Sequence, residues 1–128
     1  MIVLKATQDK VLGVLQSVAG IVERRHTLPI LANVLIRKTG SAVQLTTSDL
    51  EIQIRTTVEM DGDSGNFTTT VGARKLIDIL RTMPADQTVS LESSASKLIL
   101  KGGKSRFTLQ TLAAEDFPLV QEAASFGP

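Results

Sequence analysis

The chain carries one structural pattern twice. Lys10-Val-Leu-Gly-Val-Leu15 returns 65 positions later as Lys75-Leu-Ile-Asp-Ile-Leu80, and Val43-Gln-Leu45 with Ile52-Gln-Ile54 returns 55 positions later as Leu98-Ile-Leu100 with Phe107-Thr-Leu109. A unit of strand, helix and strands is therefore expected at about 1–60 and again at 66–112, which makes the chain a duplicated scaffold. The two offsets differ by ten, so the first copy must hold an insertion of about that length between its helix and its next strand, around Gly20 to Pro29. That insertion contains Arg24, Arg25 and His26.

With 128 residues, 42% apolar and 21% charged, the chain suits one globular domain with enough apolar surface for a core. The longest mostly apolar stretch, Leu28 to Ile36, is interrupted by Pro29 and Asn33 and is too short to span a bilayer. Met1-Ile-Val-Leu-Lys5 lacks the charged lead and long apolar segment of a secretory signal, so a cytoplasmic location is expected. Without cysteine there is no disulfide framework, thiolate nucleophile or thiolate metal site, and a single histidine offers little to a metal; no cofactor is expected. A formal charge of +1 is low for a protein that holds nucleic acid by bulk electrostatics. The absence of Trp and Tyr removes most stacking platforms for single strands, so any DNA contact is expected to be with duplex backbone.

Periodicity supplies the map. Thr7 can cap a helix over roughly Gln8 to Gly20, with Val11, Leu12, Val14, Leu15 and Val18 as its apolar stripe and Gly20 as its stop. A second helix is expected over Ala73 to Met83, burying Leu76, Ile77, Leu80 and Met83 and ending before Pro84. Ala42 to Thr47 and Leu50 to Val58 alternate as strands around a Ser48-Asp49 turn. Leu98 to Lys101 and Ser105 to Leu112 repeat that hairpin, with Gly102-Gly103 expected to supply positive φ angles. Asp61-Gly-Asp-Ser-Gly65 reads as an exposed connector between copies that cannot fold separately. The fold class is α+β, with two helices packed on two antiparallel sheets of roughly eight strands.

Several chemical motifs fail. Gly102-Gly-Lys-Ser105 lacks the earlier glycine and the following helix of a phosphate-binding loop. Ser48, Asp49 and His26 lack a nucleophile elbow, and Asp49, Glu51, Asp61 and Asp63 lack the spacing of a calcium loop. No constellation reads as an enzyme. The outward helix faces are more informative. Arg74, Asp78 and Arg81 share one face with Lys75 beside them, and Lys10, Gly13, Ser17 and Gly20 share the other. Side by side these faces make a smooth, weakly basic strip, to whose end Arg24 and Arg25 add guanidinium groups suited to phosphate oxygens. On alternation alone Phe107 and Leu109 are ordinary core positions.

Thr27-Leu-Pro-Ile-Leu31, Ser48-Asp-Leu-Glu51, Ala73-Arg-Lys75, Ser105-Arg-Phe107 with Thr108-Leu109, and Asp116-Phe-Pro118 occur in the order and spacing of the bacterial beta sliding clamp family, the beta subunit of DNA polymerase III. The chain resembles the first domain of that family from about Met1 to Pro118, with 119–128 expected to begin a linker to a second domain. The resemblance implies a head-to-tail homodimeric ring of three similar domains per subunit, with helices lining a hole for duplex DNA and sheets outside. It implies a processivity factor that tethers the polymerase and does no chemistry. DNA polymerase III and the clamp loader would engage later domains.

By the same resemblance, Arg25 takes the place of the family's DNA-touching loop arginine and Arg74 that of a second one. Glu23-Arg24 replaces the family's glycine-rich approach to the loop, which keeps both Arg24 and Arg25 in play. Arg24, Lys10 and Arg81 are expected as further DNA contacts by geometry alone. Lys75, Lys97, Lys104, Arg106, Phe107 and Leu109 match the side that meets the acidic third domain of the other subunit, on what is expected to be an edge strand. The alternative is a non-enzymatic α+β interaction module that never meets DNA.

Overall fold

A computed structural model describes residues 2–21, 29–48, 52–59, 62, 65–94, 97–112, 114 and 117. The elements run β1 (Ile2–Thr7), α1 (Gln8–Val18), β2 (Asn33–Thr39), β3 (Ala42–Ser48) and β4 (Gln53–Glu59), then β5 (Asn66–Gly72), α2 (Ala73–Leu80), β6 (Thr88–Ser94), β7 (Lys97–Gly102) and β8 (Ser105–Leu112). Strand, helix and a three-stranded meander thus occur twice. The first strand of each copy, however, does not stay with its own meander. β1 pairs with β6, and β5 pairs with β2, giving the order β1-β6-β7-β8-β5-β2-β3-β4. The eight strands join into one continuous antiparallel sheet through a short β5–β8 seam, and each four-stranded sheet on either side of it combines one copy's meander with the other copy's leading strand.

Both sheets turn one face toward a shared core. Leu4, Leu91, Leu100 and Phe107 are cross-strand neighbours in one sheet, and Val71 with Val34 and Ile36 with Leu45 in the other. Val11, Leu15 and Val18 of α1 and Leu76, Ile77 and Leu80 of α2 close the same cluster from the helical side. A separate small cluster lies on the opposite face of the second sheet, where Leu35 is covered by Ile30, Leu31 and Phe117. Parts of the Thr27-Leu-Pro-Ile-Leu31 and Asp116-Phe-Pro118 motifs, far apart in sequence, thus meet in one cover over β2.

The ten-residue difference between the copies divides cleanly. α1 has 11 residues and α2 has 8, and fourteen residues lie between Val18 and Asn33 against seven between Leu80 and Thr88, so the excess is three helical and seven connecting residues. The longer connection opens with a 3₁₀ turn at Ala19–Ile21 and closes with another at Pro29–Ala32. Gly20 lies inside the first turn, so the α-helix ends two residues earlier than its apolar spacing predicts, by tightening rather than by a left-handed glycine. α2 likewise ends at Leu80 instead of Met83, its last amides turning to i−3 carbonyls, Thr82 N to Ile79 O and Met83 N to Leu80 O.

Thr7 occupies the N-cap of α1 but makes no side-chain cap bond. Its hydroxyl donates to Asp9 Oδ1 at 2.5 Å. The first amides of α1 are taken instead by the connection before β6, Gln8 N donating to Gln87 O and Asp9 N to Ala85 O. The buried Gln8 side chain in turn donates to Leu80 O at 2.6 Å, closing the C-terminus of α2. Thr47, also buried, donates its hydroxyl to Val18 O at the end of α1. Both ends of α1 and the C-terminus of α2 are thus satisfied by residues distant in sequence, which fixes the helices against each other and against the sheet.

The β7–β8 turn also departs from its sequence expectation. Gly102 pairs with Ser105 within the ladder, leaving Gly103 and Lys104 as the two turn residues, and of the two glycines only Gly103 has positive φ, at 56°. Gly102 is required for another reason: a Cβ there would lie 2.9 Å from Met83 Sδ and 3.1 Å from Val89 Cγ1. Ser48 is fully buried at the end of β3, and no helix among the described residues is long and apolar enough to cross a membrane.

Gln8→Ala should lower the unfolding free energy by about 1–3 kcal/mol, because it strands the Leu80 carbonyl in a buried site. Urea denaturation checks this; a change within about 0.5 kcal/mol of zero would mean that water satisfies that carbonyl.

Candidate functional site

Two surfaces collect the functional residues expected from sequence. The first is the outer face of the helix pair. α1 and α2 pack directly against each other, and the Gln8–Leu80 bond puts the start of one beside the end of the other. Arg74, Lys75, Asp78 and Arg81 are exposed on α2, and Asp9, Lys10, Gly13, Gln16, Ser17 and Gly20 on the α1 side. The strip is smooth and mixed in charge, with cations in modest excess. Arg81 sits at the C-cap of α2, where its positive charge also complements the helix dipole. Lys10 does not simply project outward: its Nζ donates to Glu59 O at 3.2 Å, tying α1 to the end of β4. Arg24 and Arg25 lie outside the described residues.

The second surface forms where the two sheets part. β8 pairs with β7 from Ser105 to Gln110, but its other side meets β5 only at Thr70–Leu112 and Val71–Thr111. β8 is therefore interior in strand order, yet from Ser105 to Gln110 its outer edge has no ladder partner among the described residues. The seam itself is held by side chains. Asn33 Nδ2 donates to Thr70 Oγ1 at 3.0 Å, and that hydroxyl donates to Leu112 O at 2.7 Å.

Beside the seam opens a cleft of about 410 Å³, lined by Asn33, Val71, Gly72, Lys75, Thr108, Leu109, Gln110 and Leu112. Lys75 and Leu109 of the expected interface set therefore share one cleft. Leu109 forms its floor and belongs to the core, with 3% of its surface exposed. Phe107 ends the Leu4–Leu91–Leu100–Phe107 row and is half-buried, because the next strand that would cover it is missing at this edge. Arg106 is exposed on the opposite face, beside Lys101 of β7, with Lys97 and the turn residue Lys104 exposed nearby.

Sequence reasoning passed over Leu112, one of two large hydrophobic residues exposed among those described, at 43%. The signal was available. Arg106, Thr108 and Gln110 set a polar parity on the outer face of β8, and Leu112 breaks it. The Asn33–Thr70 relay had no comparable sequence signal, since it joins residues on two strands that become neighbours only through the strand exchange.

The arrangement matches known proteins along nearly its whole length. Residues 3–121 fit the family described as DNA polymerase III beta subunit, N-terminal domain. The chain belongs to that family. The beta sliding clamps of Pseudomonas putida and Pseudomonas aeruginosa are 44% identical over 115 residues and 45% identical over 117, each match covering 90% of this chain and 31% of the relative. Among solved structures, a griselimycin-bound sliding clamp from Pseudomonas aeruginosa superposes with a TM-score of 0.89 at 42% identity, over 99% of this chain and 33% of that one. The Caulobacter crescentus polymerase III beta gives 0.85 at 33% identity, over 91% and 31%. The chain thus spans about a third of the length of the clamps it matches, and its α+β fold is that of a clamp domain.

Thr70→Val should loosen the seam without unfolding the core, because it removes the bond to Leu112 O and leaves Asn33 without its acceptor. Hydrogen exchange at the β5–β8 seam should quicken by about tenfold, corresponding to roughly 1.4 kcal/mol, while exchange in β7 stays unchanged. Equal protection in parent and variant would show that the two ladder pairs hold the seam unaided.

Proposed function

We propose that this chain is the first domain of a ring-shaped DNA clamp, a non-catalytic processivity factor that encircles duplex DNA and tethers the replicative polymerase. The observation that carries the reading is the division of the domain into a smooth, weakly cationic helix layer on one side and, on the other, sheets with a partly apolar edge that has no ladder partner among the described residues. The first surface suits passing contact with a phosphate backbone, and the second suits a neighbouring subunit. Membership of the polymerase III beta family supports both. By this reading the assembled clamp works on DNA in the bacterial cytoplasm, and the polymerase and its loader would engage further domains.

Arg74 and Arg81 on α2, Lys10 on α1, and Arg24 and Arg25 in the inserted segment are the proposed phosphate contacts. Their sparseness fits the task. A closed ring is retained by topology, so each phosphate contact need only be weak and sequence-independent, and a small number of them permits sliding. Gly13, Ser17 and Gly20 keep the strip between the cations low, so backbone can pass without steric catches.

At the other surface, a strand added to the free edge of β8 would complete its backbone hydrogen bonds, cover the outer flank of Phe107 and fill the cleft between Leu109 and Leu112. Lys75 at the cleft rim, with Lys97, Lys104 and Arg106 around the edge, would meet acidic groups on the third domain of the other subunit. The surrounding cations also discourage that edge from pairing with arbitrary strands while the ring is open.

Two measurements test the reading. In the assembled ring, Arg24→Ala with Arg25→Ala should reduce the slope of log K against log salt for a duplex by about 1–2, from about 0.9 per phosphate contact. An unchanged slope removes that segment from the DNA surface. Phe107→Ala should leave a cooperatively melting domain while weakening subunit association at least about tenfold; gross unfolding would instead make Phe107 a core residue with no interface role.

A further inference from the structure

The outer face of the sheet formed by β1, β6, β7 and β8 carries more positive charge than an edge contact can use. Lys5, Ser90, Lys101 and Arg106 are consecutive cross-strand neighbours, forming one row across all four strands. Lys97 and Lys104 are exposed on the same sheet, and the four strands contain a single acid, Glu92. That acid is already engaged, since the Lys101 ammonium lies 3.1 Å from Glu92 Oε2 and 3.2 Å from Oε1. The second sheet has no comparable excess: Arg37 and Arg55 are its exposed cations, with Glu59 at its edge.

Distance separates two roles within this face. Adjacent strands lie about 4.8 Å apart. A partner strand added at β8 would lie about 14 Å from β6 and about 19 Å from β1. Arg106 can touch such a partner, whereas Lys5 and Glu92 act on it only through the field. The row itself offers little to hold a protein directly, because Ile99 beside it is buried and Leu112, the exposed hydrophobic on this face, lies six residues beyond Arg106, at the seam with β5. Charge without an apolar anchor favours encounter over adhesion.

We propose that this face is an electrostatic approach surface, which draws an acidic face of the partner subunit toward the free edge of β8 and accelerates ring closure without stabilising the closed contact. The proposal rests on the reading of that edge as the subunit contact. Its range follows from screening: the Debye length is about 30 Å at 10 mM salt and about 10 Å at 0.1 M, so a charge about 19 Å away acts at the first and is largely silent at the second.

The test mixes donor- and acceptor-labelled full-length subunits and follows association and dissociation separately. At 10 mM salt, Lys5→Gln should slow association about threefold and Glu92→Gln should quicken it by a similar factor, both with the parent dissociation rate. At 0.3 M salt both variants should associate like the parent. Association rates equal to the parent in both variants at 10 mM would overturn the proposal. So would effects that persist at 0.3 M or appear in dissociation, since these mark direct contact. Loss of binding to a 20-base-pair duplex by Lys5→Gln, with association unchanged, would assign the face to phosphate and also overturn it. Leu112→Asp serves as the control on the edge itself: it should abolish pairing, and if it does not, the edge reading falls and the approach surface with it, whatever the Lys5 variant does.

Discussion

The exchange of leading strands is the constraint on which the rest of the domain depends. Because β1 completes the sheet of β6 to β8 and β5 completes that of β2 to β4, neither copy holds a finished sheet of its own. The helices follow from the same exchange. Each leads out of a strand in one sheet and is closed at its C-terminus by a residue far along the chain, Gln8 for α2 and Thr47 for α1. A duplication that might have produced two small, marginal units instead produces one core, with the larger burial that stability at this size requires.

The exchange also explains why one side of β8 is left without a ladder partner among the described residues. With β5 committed to β2 along seven register pairs and to β8 along only two, the sheets diverge immediately beyond the seam. Divergence opens the cleft, leaves Phe107 half-covered and exposes the amides and carbonyls on one side of β8. The Asn33–Thr70–Leu112 relay sits where the two sheets would otherwise separate, a position where one buried hydroxyl donates and accepts at once. Fold and open edge are therefore not independent features of this chain. A substitution that tightened the seam into a full ladder would close the cleft.

What could be read from sequence was whatever depends on local periodicity. The repeat, both helices, the paired hairpins and the α+β class follow from spacings of two and of three to four, and Leu76, Ile77 and Leu80 fall where those spacings put them. Pairing between distant strands leaves no such trace, so the strand exchange was invisible, and with it the seam, the relay and the partial freedom of β8. Where chemistry was misplaced, a tertiary neighbour had overridden a local rule. Gly102 is a glycine because Met83 and Val89 press on it, not because it turns the chain, and Thr7 yields its cap role because Gln87 and Ala85 already hold the first amides. Lys10 was legible as an exposed cation but not as the tie to Glu59 O, since β4 approaches α1 only in the folded domain.

The near-neutral total charge now has a physical reading. Positive charge is sparse on the helix layer, where Asp9 and Asp78 dilute it, and dense on the sheet that ends at β8. If DNA affinity were the main task, the densities would be reversed, because an open protein must hold phosphate by charge alone. The proposed ring has no such need: its hold on DNA would come from closure, and closure would require two subunits to find each other and align one edge. Under the proposed reading, the cations gathered around that edge serve assembly more than DNA affinity. The apolar groups divide the same way, with Phe107, Leu109 and Leu112 at the edge and only glycine, serine and charged or amide side chains exposed along the helix strip. In the proposed ring, the helix strip would release DNA at every step, while the edge would stay shut for the length of a template.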